Sequence, residues 1–234
     1  MIDNTVSGIF TVVARVRRGR VFHPTGVPLA GMVHAVDPQF VKLLGTTERP
    51  AAVRISKGTG LPGGLPDVLG LALRVLDRDD RPWDLTLATT GTSAATRLLP
   101  LPVRGWKSAN YGSLMPYRFE DGPALWLGAR PAAPQPDTAD LSDFNSGVSD
   151  GGTGFELTAT SRSGPSRTLA HLVVSELEVG AAPTYFDPIR NRPAGVELLP
   201  RALATIREWA YVGSRSGRGR SADADYADSL FARD

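Results

Sequence analysis

Hydrophobic and polar residues alternate through much of the N-terminal half of the chain, and this period of two is typical of half-buried β-strands. In the segment Gly8–Phe22, Phe10 and Val12 face one side while Thr11 and Val13 face the other. The same alternation predicts four further strands: Val27–Ala35, Ala51–Lys57, Leu69–Leu76 and a segment that begins at Trp83. Polar turns such as Asp77–Arg81 separate them, so the pattern predicts an antiparallel sheet.

Helical signals are few and local. Asp37 is a suitable N-cap for a short helix, Pro38–Leu44, which Gly45 would end. A longer helix is predicted to begin at Pro200, because apolar residues then recur at helical spacing. The chain should therefore contain few helices, most of them short.

The pattern weakens after Thr90. We expect loops or short helices over 91–123 and an extended surface loop over 130–153. Strands are predicted at Ala124–Ala129, Gly154–Ser161 and Arg167–Val179, with an irregular stretch over 185–200. On the last of these strands His171 shares a face with Leu169 and Val173, which predicts a core histidine.

These elements predict an α+β protein that is mainly β, with seven or eight mostly antiparallel strands. Such a set either closes into a barrel or packs as a sandwich, and both remove exposed strand edges. A barrel with a late helix that closes a ligand site fits the order of elements. We expect the 234 residues to form a single domain, 1–234, in which 219–234 is a flexible tail.

Composition excludes several functions. The chain has no cysteine, which rules out disulfides, thiolate haem ligation and iron–sulfur clusters, and only three histidines. The net charge is +2 and the basic residues are scattered, so a nucleic-acid partner is not expected. Neither a signal peptide nor a long apolar run is apparent, which predicts a cytoplasmic protein that does not bind a membrane.

One stripe near the C-terminus carries the candidate chemistry. In a helix, Arg207, Tyr211, Ser214 and Arg218 would share one face. A guanidinium beside a phenol favours the phenolate, and tyrosine is a known axial ligand of haem iron. The alternative is that Tyr211 packs against the sheet as an ordinary helix tyrosine beside an exposed Arg207.

Five segments in order resemble the haem catalases. Val53-Arg54-Ile55-Ser56 is similar to the family's Val-Arg-Phe-Ser segment, and 67–74 is similar to its Asp-x-x-Gly-Phe-Ala-x-Lys strand. Trp83-Asp84-Leu85 resembles the Trp-Asp-Leu that follows. The segment 8–12 looks like the first barrel strand, and the stripe from Arg207 to Arg218 looks like the proximal helix.

The resemblance implies a catalase-like β-barrel with a C-terminal proximal helix and haem b as cofactor. Tyr211 would ligate the iron and Arg207 would hydrogen-bond its phenolate. Arg54 and Arg218 would pair with the haem propionates, with Ser214 also beside the haem, and Ser56 would lie behind its distal side. Trp83 and Asp84 would be part of the barrel framework.

The same resemblance also exposes departures. The family's distal histidine stands ten residues before the phenylalanine that matches Phe10, and this sequence has no residue there. The distal asparagine would fall near Thr89, which could line the pocket in its place. Peroxide cleavage needs a base that takes a proton from one oxygen and returns it to the other. We therefore expect peroxide-dependent, peroxidase-like oxidation or rearrangement of a small organic substrate rather than efficient catalase turnover.

Three alternatives remain open from the sequence. A haem-free barrel could bind a small ligand or an anion, or act structurally. A chain start further upstream would restore the histidine and with it a catalase. His23, in a loop, is a weaker replacement base. The tail and loops are also consistent with a homodimer.

Overall fold

The computed structural model describes residues 25–149, 152–162, 164–176 and 185–199. Helix α1 spans Pro38–Leu44 and helix α2 spans Leu141–Ser149, and Thr96–Leu98 forms one 3₁₀ turn. The strands are β1 Thr25–Ala35, β2 Glu48–Lys57, β3 Leu69–Leu76, β4 Pro82–Thr89, β5 Tyr111–Gly112, β6 Tyr117–Phe119, β7 Ala124–Pro131, β8 Thr153–Ser161, β9 Ser166–Ser175 and β10 Val196–Leu198. The strand Gly8–Phe22 and the helix from Pro200 lie outside the described residues.

The strands close into an antiparallel barrel. Neighbouring strands follow the order β5-β4-β3-β2-β1-β9-β8, and β7 pairs with both β8 and β5 to complete a ring of eight. The short strands β6 and β10 extend from β7 outside that ring. The prediction of a mainly β, antiparallel barrel with few helices is confirmed, and the sandwich alternative is wrong.

The barrel interior is filled with side chains. The inward residues of β2, β3 and β4 pair across the sheet, as in the row Val53–Leu73–Leu85, and each is almost fully buried. A closed barrel of eight strands leaves room for little more than such side chains. The interior is therefore a hydrophobic core.

Aromatic rings close the two ends of this core. At the start of β4, Trp83 packs between Phe40 of α1 and Phe119, with ring centroids 5.3 Å and 6.1 Å away. At the other end, Tyr111 packs edge-to-face on Phe155 at 5.8 Å. Burial raises the pKa of Tyr111 well above its usual value, so its phenol stays neutral.

Helix α1 forms as its sequence predicts. The Asp37 side chain accepts a hydrogen bond from the backbone N–H of Phe40 at 3.0 Å, which satisfies one of the free donors of the first turn. Gly45 ends the helix in the left-handed conformation, at φ 75°, where a glycine has no steric penalty. The helix packs beside β1, which it follows directly in the chain.

Helix α2 corrects the expectation of an extended loop over 130–153. Phe144 and Val148 lie four residues apart on its inner face and are 1% and 4% exposed. Asp140 precedes the helix and accepts hydrogen bonds from the hydroxyl and backbone N–H of Ser142, which lower the pKa of Asp140. The polar composition of the segment conceals this short apolar stripe, which packs Phe144 on Trp106 at 4.9 Å.

The prediction that His171 lies in the core is wrong. The pairing of β8 with β9 shifts between Leu157 and Thr158, where Leu169 is left without a partner. Both Leu169 and Ala170 are consequently buried, and the alternation restarts one residue later with His171 exposed. A bulge of this kind reverses the faces of all residues beyond it.

Outside the barrel, a buried ion pair attaches the segment 185–191 to β3 and β4. Arg74 and Asp84 are paired residues of the two strands, and the guanidinium binds both carboxylate oxygens, at 2.6 Å and 2.8 Å. Asp84 also accepts hydrogen bonds from the backbone N–H of Asp187 and the side-chain amide of Asn191. Arg74 donates to the carbonyl of Tyr185 at 2.6 Å.

We expect Asp84→Asn to lower the free energy of unfolding by about 3–5 kcal/mol, because it leaves the buried Arg74 charge uncompensated. Asp80→Asn is the matched control, since Asp80 binds Arg49 at the surface and its side chain is 72% exposed. The control should cost about 0–1 kcal/mol. Urea unfolding of the two variants measures both values, and equal losses would contradict a structural role for the buried pair.

Candidate functional site

The outer face of the barrel is where the predicted site residues on β2 lie. Arg54 and Ser56 are two residues apart on β2. Both point outward, because the alternate residues Val53 and Ile55 belong to the core. Both are nonetheless buried, at 9% and 4% exposure. The structure therefore places these two residues on the same outer face of β2, with little of either side chain exposed.

Ser56 belongs to a transverse row of small residues. The strand register places them side by side across six neighbouring strands, in the order Gly26, Ser56, Gly70, Ala88, Gly112 and Gly128. The adjacent row on β2–β4 is Arg54, Ala72 and Thr86. Side chains this small make a flat face on which another group can approach the backbone closely.

The absence of a side chain at Gly26 makes room for Arg54. A Cβ atom at Gly26 would lie 2.7 Å from the guanidinium carbon of Arg54, and 2.5 Å from the carbonyl oxygen of Ile55. The guanidinium therefore lies across β1 at the level of the small-residue row. It places a permanent positive charge beside the flat face.

Thr89 lies on the opposite face of the barrel wall from Arg54 and Ser56. It pairs with Tyr111, whose ring packs inside the barrel, so its side chain is on the inner face at the end of β4. Its hydroxyl accepts a hydrogen bond from the backbone N–H of Leu69 at 3.0 Å and donates to the carbonyl of Leu101 at 2.7 Å. The geometry gives Thr89 a structural function at the barrel rim.

The remaining predicted site residues lie outside the described part of the chain: Arg207, Tyr211, Ser214 and Arg218. The first predicted strand, with Phe10, does so as well. The proximal half of the predicted site therefore stays a prediction.

Neither described histidine is near Ser56. His34 pairs with Glu48 at the opposite end of β2, eight residues from Ser56, which corresponds to about 26 Å along a strand. His171 pairs with His34 on the next strand. Within the described ranges, no cluster of three or more histidine, cysteine, aspartate or glutamate side chains could hold a metal ion.

The glycine-rich loop after β2, residues 58–64, consists of turns and bends. Asp67 is 1% exposed, and its carboxylate accepts hydrogen bonds from the backbone N–H groups of Thr59 and Leu61. Lys57 donates to the carbonyl of Gly63 at 2.6 Å. The donors that a phosphate would need are already bound to Asp67, so the loop is closed on itself.

Sequence reasoning missed the small-residue row. Its signal is present in the sequence, because isolated glycines inside predicted strands mark places of close backbone approach. Only the register shows that glycines from distant segments fall into one row.

In the part of the chain that the structure describes, no helix is long and apolar enough to cross a membrane.

The comparisons with known proteins agree with this architecture. A bacterial catalase matches with a TM-score of 0.64 and 15% identity over 99% of this chain. A fungal catalase (TM-score 0.64, 10% identity, 98% coverage) and catalase A from Saccharomyces cerevisiae (0.64, 11%, 93%) are similar.

These matches span 63–65% of the catalases' own chains, so this chain is equivalent to less than two thirds of them. No protein-family model and no curated protein matches the sequence. At such low identity the structural likeness establishes the fold. The chain has the catalase-like antiparallel β-barrel fold.

Proposed function

We propose that this protein binds haem b on the outer face of the barrel and uses it for peroxide-dependent oxidation or rearrangement of a small organic substrate. The observation that carries the proposal is the flat row of small residues beside the Arg54 guanidinium. The catalases that share the fold make haem a reasonable occupant, and the filled interior directs a ligand to the outside.

The residues on this face fit a planar, anionic macrocycle. Ser56, Gly70 and Ala88 present no bulky side chain to a flat ring. Arg54 supplies a planar cation, which suits bidentate pairing with a propionate carboxylate. The face thus offers both the shape and the charge that haem needs.

On the proximal side, Tyr211 would be the iron ligand. Arg207, one helical turn earlier in the sequence, would hydrogen-bond the phenolate oxygen and keep it ionised. Arg218 would pair with a propionate, as Arg54 does on the barrel, and Ser214 would lie on the same helix face. These assignments rest on the spacing of the four residues in the sequence.

Bound haem would supply the oxidising chemistry with peroxide, and the protein must then manage protons. Ser56 can donate and accept a hydrogen bond, but a hydroxyl is a poor base near neutral pH. Neither described histidine can reach Ser56. We therefore propose that the substrate's own acid or base assists proton transfer, which favours oxidation of an organic substrate over peroxide disproportionation.

The first test is the visible spectrum of the purified protein after haem supplementation. We expect a Soret band with high-spin ferric-tyrosinate features, and we expect Tyr211→Phe to lose those features because the phenolate is removed. Tyr226→Phe, in the predicted tail, is a matched control that should keep them. A colourless protein would contradict the proposal and favour a haem-free binding or structural protein. An unchanged Tyr211→Phe spectrum would show instead that Tyr211 is not the iron ligand.

A second test concerns Arg54. We expect Arg54→Gln to weaken haem affinity about tenfold, because a charge-assisted pair with a propionate becomes a neutral hydrogen bond. Arg118→Gln is the control, since Arg118 faces Glu197 on the short strands outside the ring. Haem titration followed at the Soret band measures both affinities. Equal affinities in the two variants would show that Arg54 does not hold haem.

A further inference from the structure

A second transverse row crosses the barrel surface far from Ser56, and its members are titratable or charged. The register aligns Glu48 on β2 with His34 on β1, and His34 with His171 on β9. The row continues to Glu156 on β8 and Arg130 on β7. Two of the three histidines in the chain therefore stand side by side with a carboxylate on each flank.

His34 and His171 face solvent from adjacent strands. Their neighbours in the chain, Val33 and Ala35 on β1 and Ala170 and Leu172 on β9, are all buried, so both imidazoles are on the outer face. Directly opposed residues of an antiparallel pair have Cβ atoms about 4.5–5.5 Å apart. Two imidazole nitrogens at this spacing can bind one metal ion between them.

His34 has a hydrogen-bond partner of the kind that metal-binding histidines commonly have. Its Nδ1 atom hydrogen-bonds the Glu48 carboxylate at 3.3 Å. A carboxylate that accepts from Nδ1–H fixes the tautomer in which the lone pair is on Nε2, and metal-binding histidines commonly have such a partner. Glu48 thus prepares Nε2 of His34 for a cation.

Glu156, which pairs with His171 on the next strand, adds negative charge to this row. Glu156 accepts hydrogen bonds from Arg130, at 3.3 Å, and from the Thr168 hydroxyl. Both carboxylate oxygens of Glu156 thus have a hydrogen-bond partner. Glu156 then favours a cation by Coulomb attraction, which Arg130 partly offsets.

We propose that His34 and His171 bind one divalent late first-row transition metal ion, of the class Zn²⁺, Ni²⁺ or Cu²⁺, through two imidazole nitrogens, with water in the remaining positions. Imidazole selects these ions over Mg²⁺ and Ca²⁺, which prefer oxygen ligands. A site with two protein ligands also agrees with the lack of any three-ligand cluster in the described ranges.

Bound metal would join β1 to β9, strands that are far apart in the sequence but adjacent in the barrel. A cross-link between distant segments restricts the unfolded chain, and a ligand that binds only the folded state raises stability by mass action. The site would therefore stabilise the seam between the first and last described strands of the ring. It does not depend on haem, because it lies about 26 Å along the barrel from Ser56.

The test is isothermal titration of tag-free protein with ZnCl₂, NiCl₂ or CuCl₂. We expect one equivalent to bind, with Cu²⁺ tighter than Ni²⁺ or Zn²⁺ and no binding of Mg²⁺. His34→Ala and His171→Ala should each weaken binding at least tenfold, and Glu48→Gln several-fold. His23→Ala, which removes the third histidine, should leave affinity unchanged.

Unchanged affinity in the His34→Ala/His171→Ala double variant, loss of binding in His23→Ala, or no binding by the unmodified protein would each overturn the proposal. Because His171 is exposed, we expect its variant to fold normally, and circular dichroism checks this. The haem spectrum provides an independent readout, since it should be the same in the variants of His34, His171 and Glu48. The two proposals can thus fail separately.

Discussion

The bidentate pair of Arg74 and Asp84 holds the segment 185–191 against the outside of this barrel. Two charges leave water here only because every strong partner is in place: the guanidinium binds both carboxylate oxygens, and two further donors come from the segment 185–191. Removal of either charge would leave the other buried and unpaired. The pair therefore requires that the chain beyond the barrel return to β3 and β4.

That constraint matters for function because the pair lies one row from Arg54 and two rows from Ser56. The register places Ala52, Arg74 and Asp84 in one row, then Arg54, Ala72 and Thr86, then the small-residue row. The segment 185–191, which Arg74 and Asp84 hold, is thus attached one row from Arg54. The interior, filled by Leu and aromatic side chains, contributes rigidity to the strands that carry this face.

Local sequence signals predicted the elements that depend on local physics. Helix α1 begins after Asp37 and ends at Gly45 as expected, and β3 spans the predicted residues, Leu69–Leu76. The prediction failed where a long-range contact decides. The bulge that exposes His171 arises from pairing with β8. Of the two buried apolar residues of α2, Phe144 packs on Trp106 and Phe155, which are distant in the sequence.

The candidate site also combines features that are local in the sequence with features that only long-range strand pairing creates. The resemblance to catalases implies a role for Arg54 and Ser56, and the structure places both on one face, because residues two apart on a strand share a face. Thr89 was predicted from its distance along the chain, and the fold turns it to the opposite face. The small-residue row and the histidine pair are each assembled from several strands, so only the register reveals them.

We propose that haem binds to this barrel on the outer face of β2–β4. The most direct measurement is anomalous scattering at the iron edge from crystals of the haem-supplemented protein. We expect one iron peak on the outer surface next to Arg54 and Ser56. An iron peak at His34 and His171, a peak within the barrel, or no bound iron would contradict it.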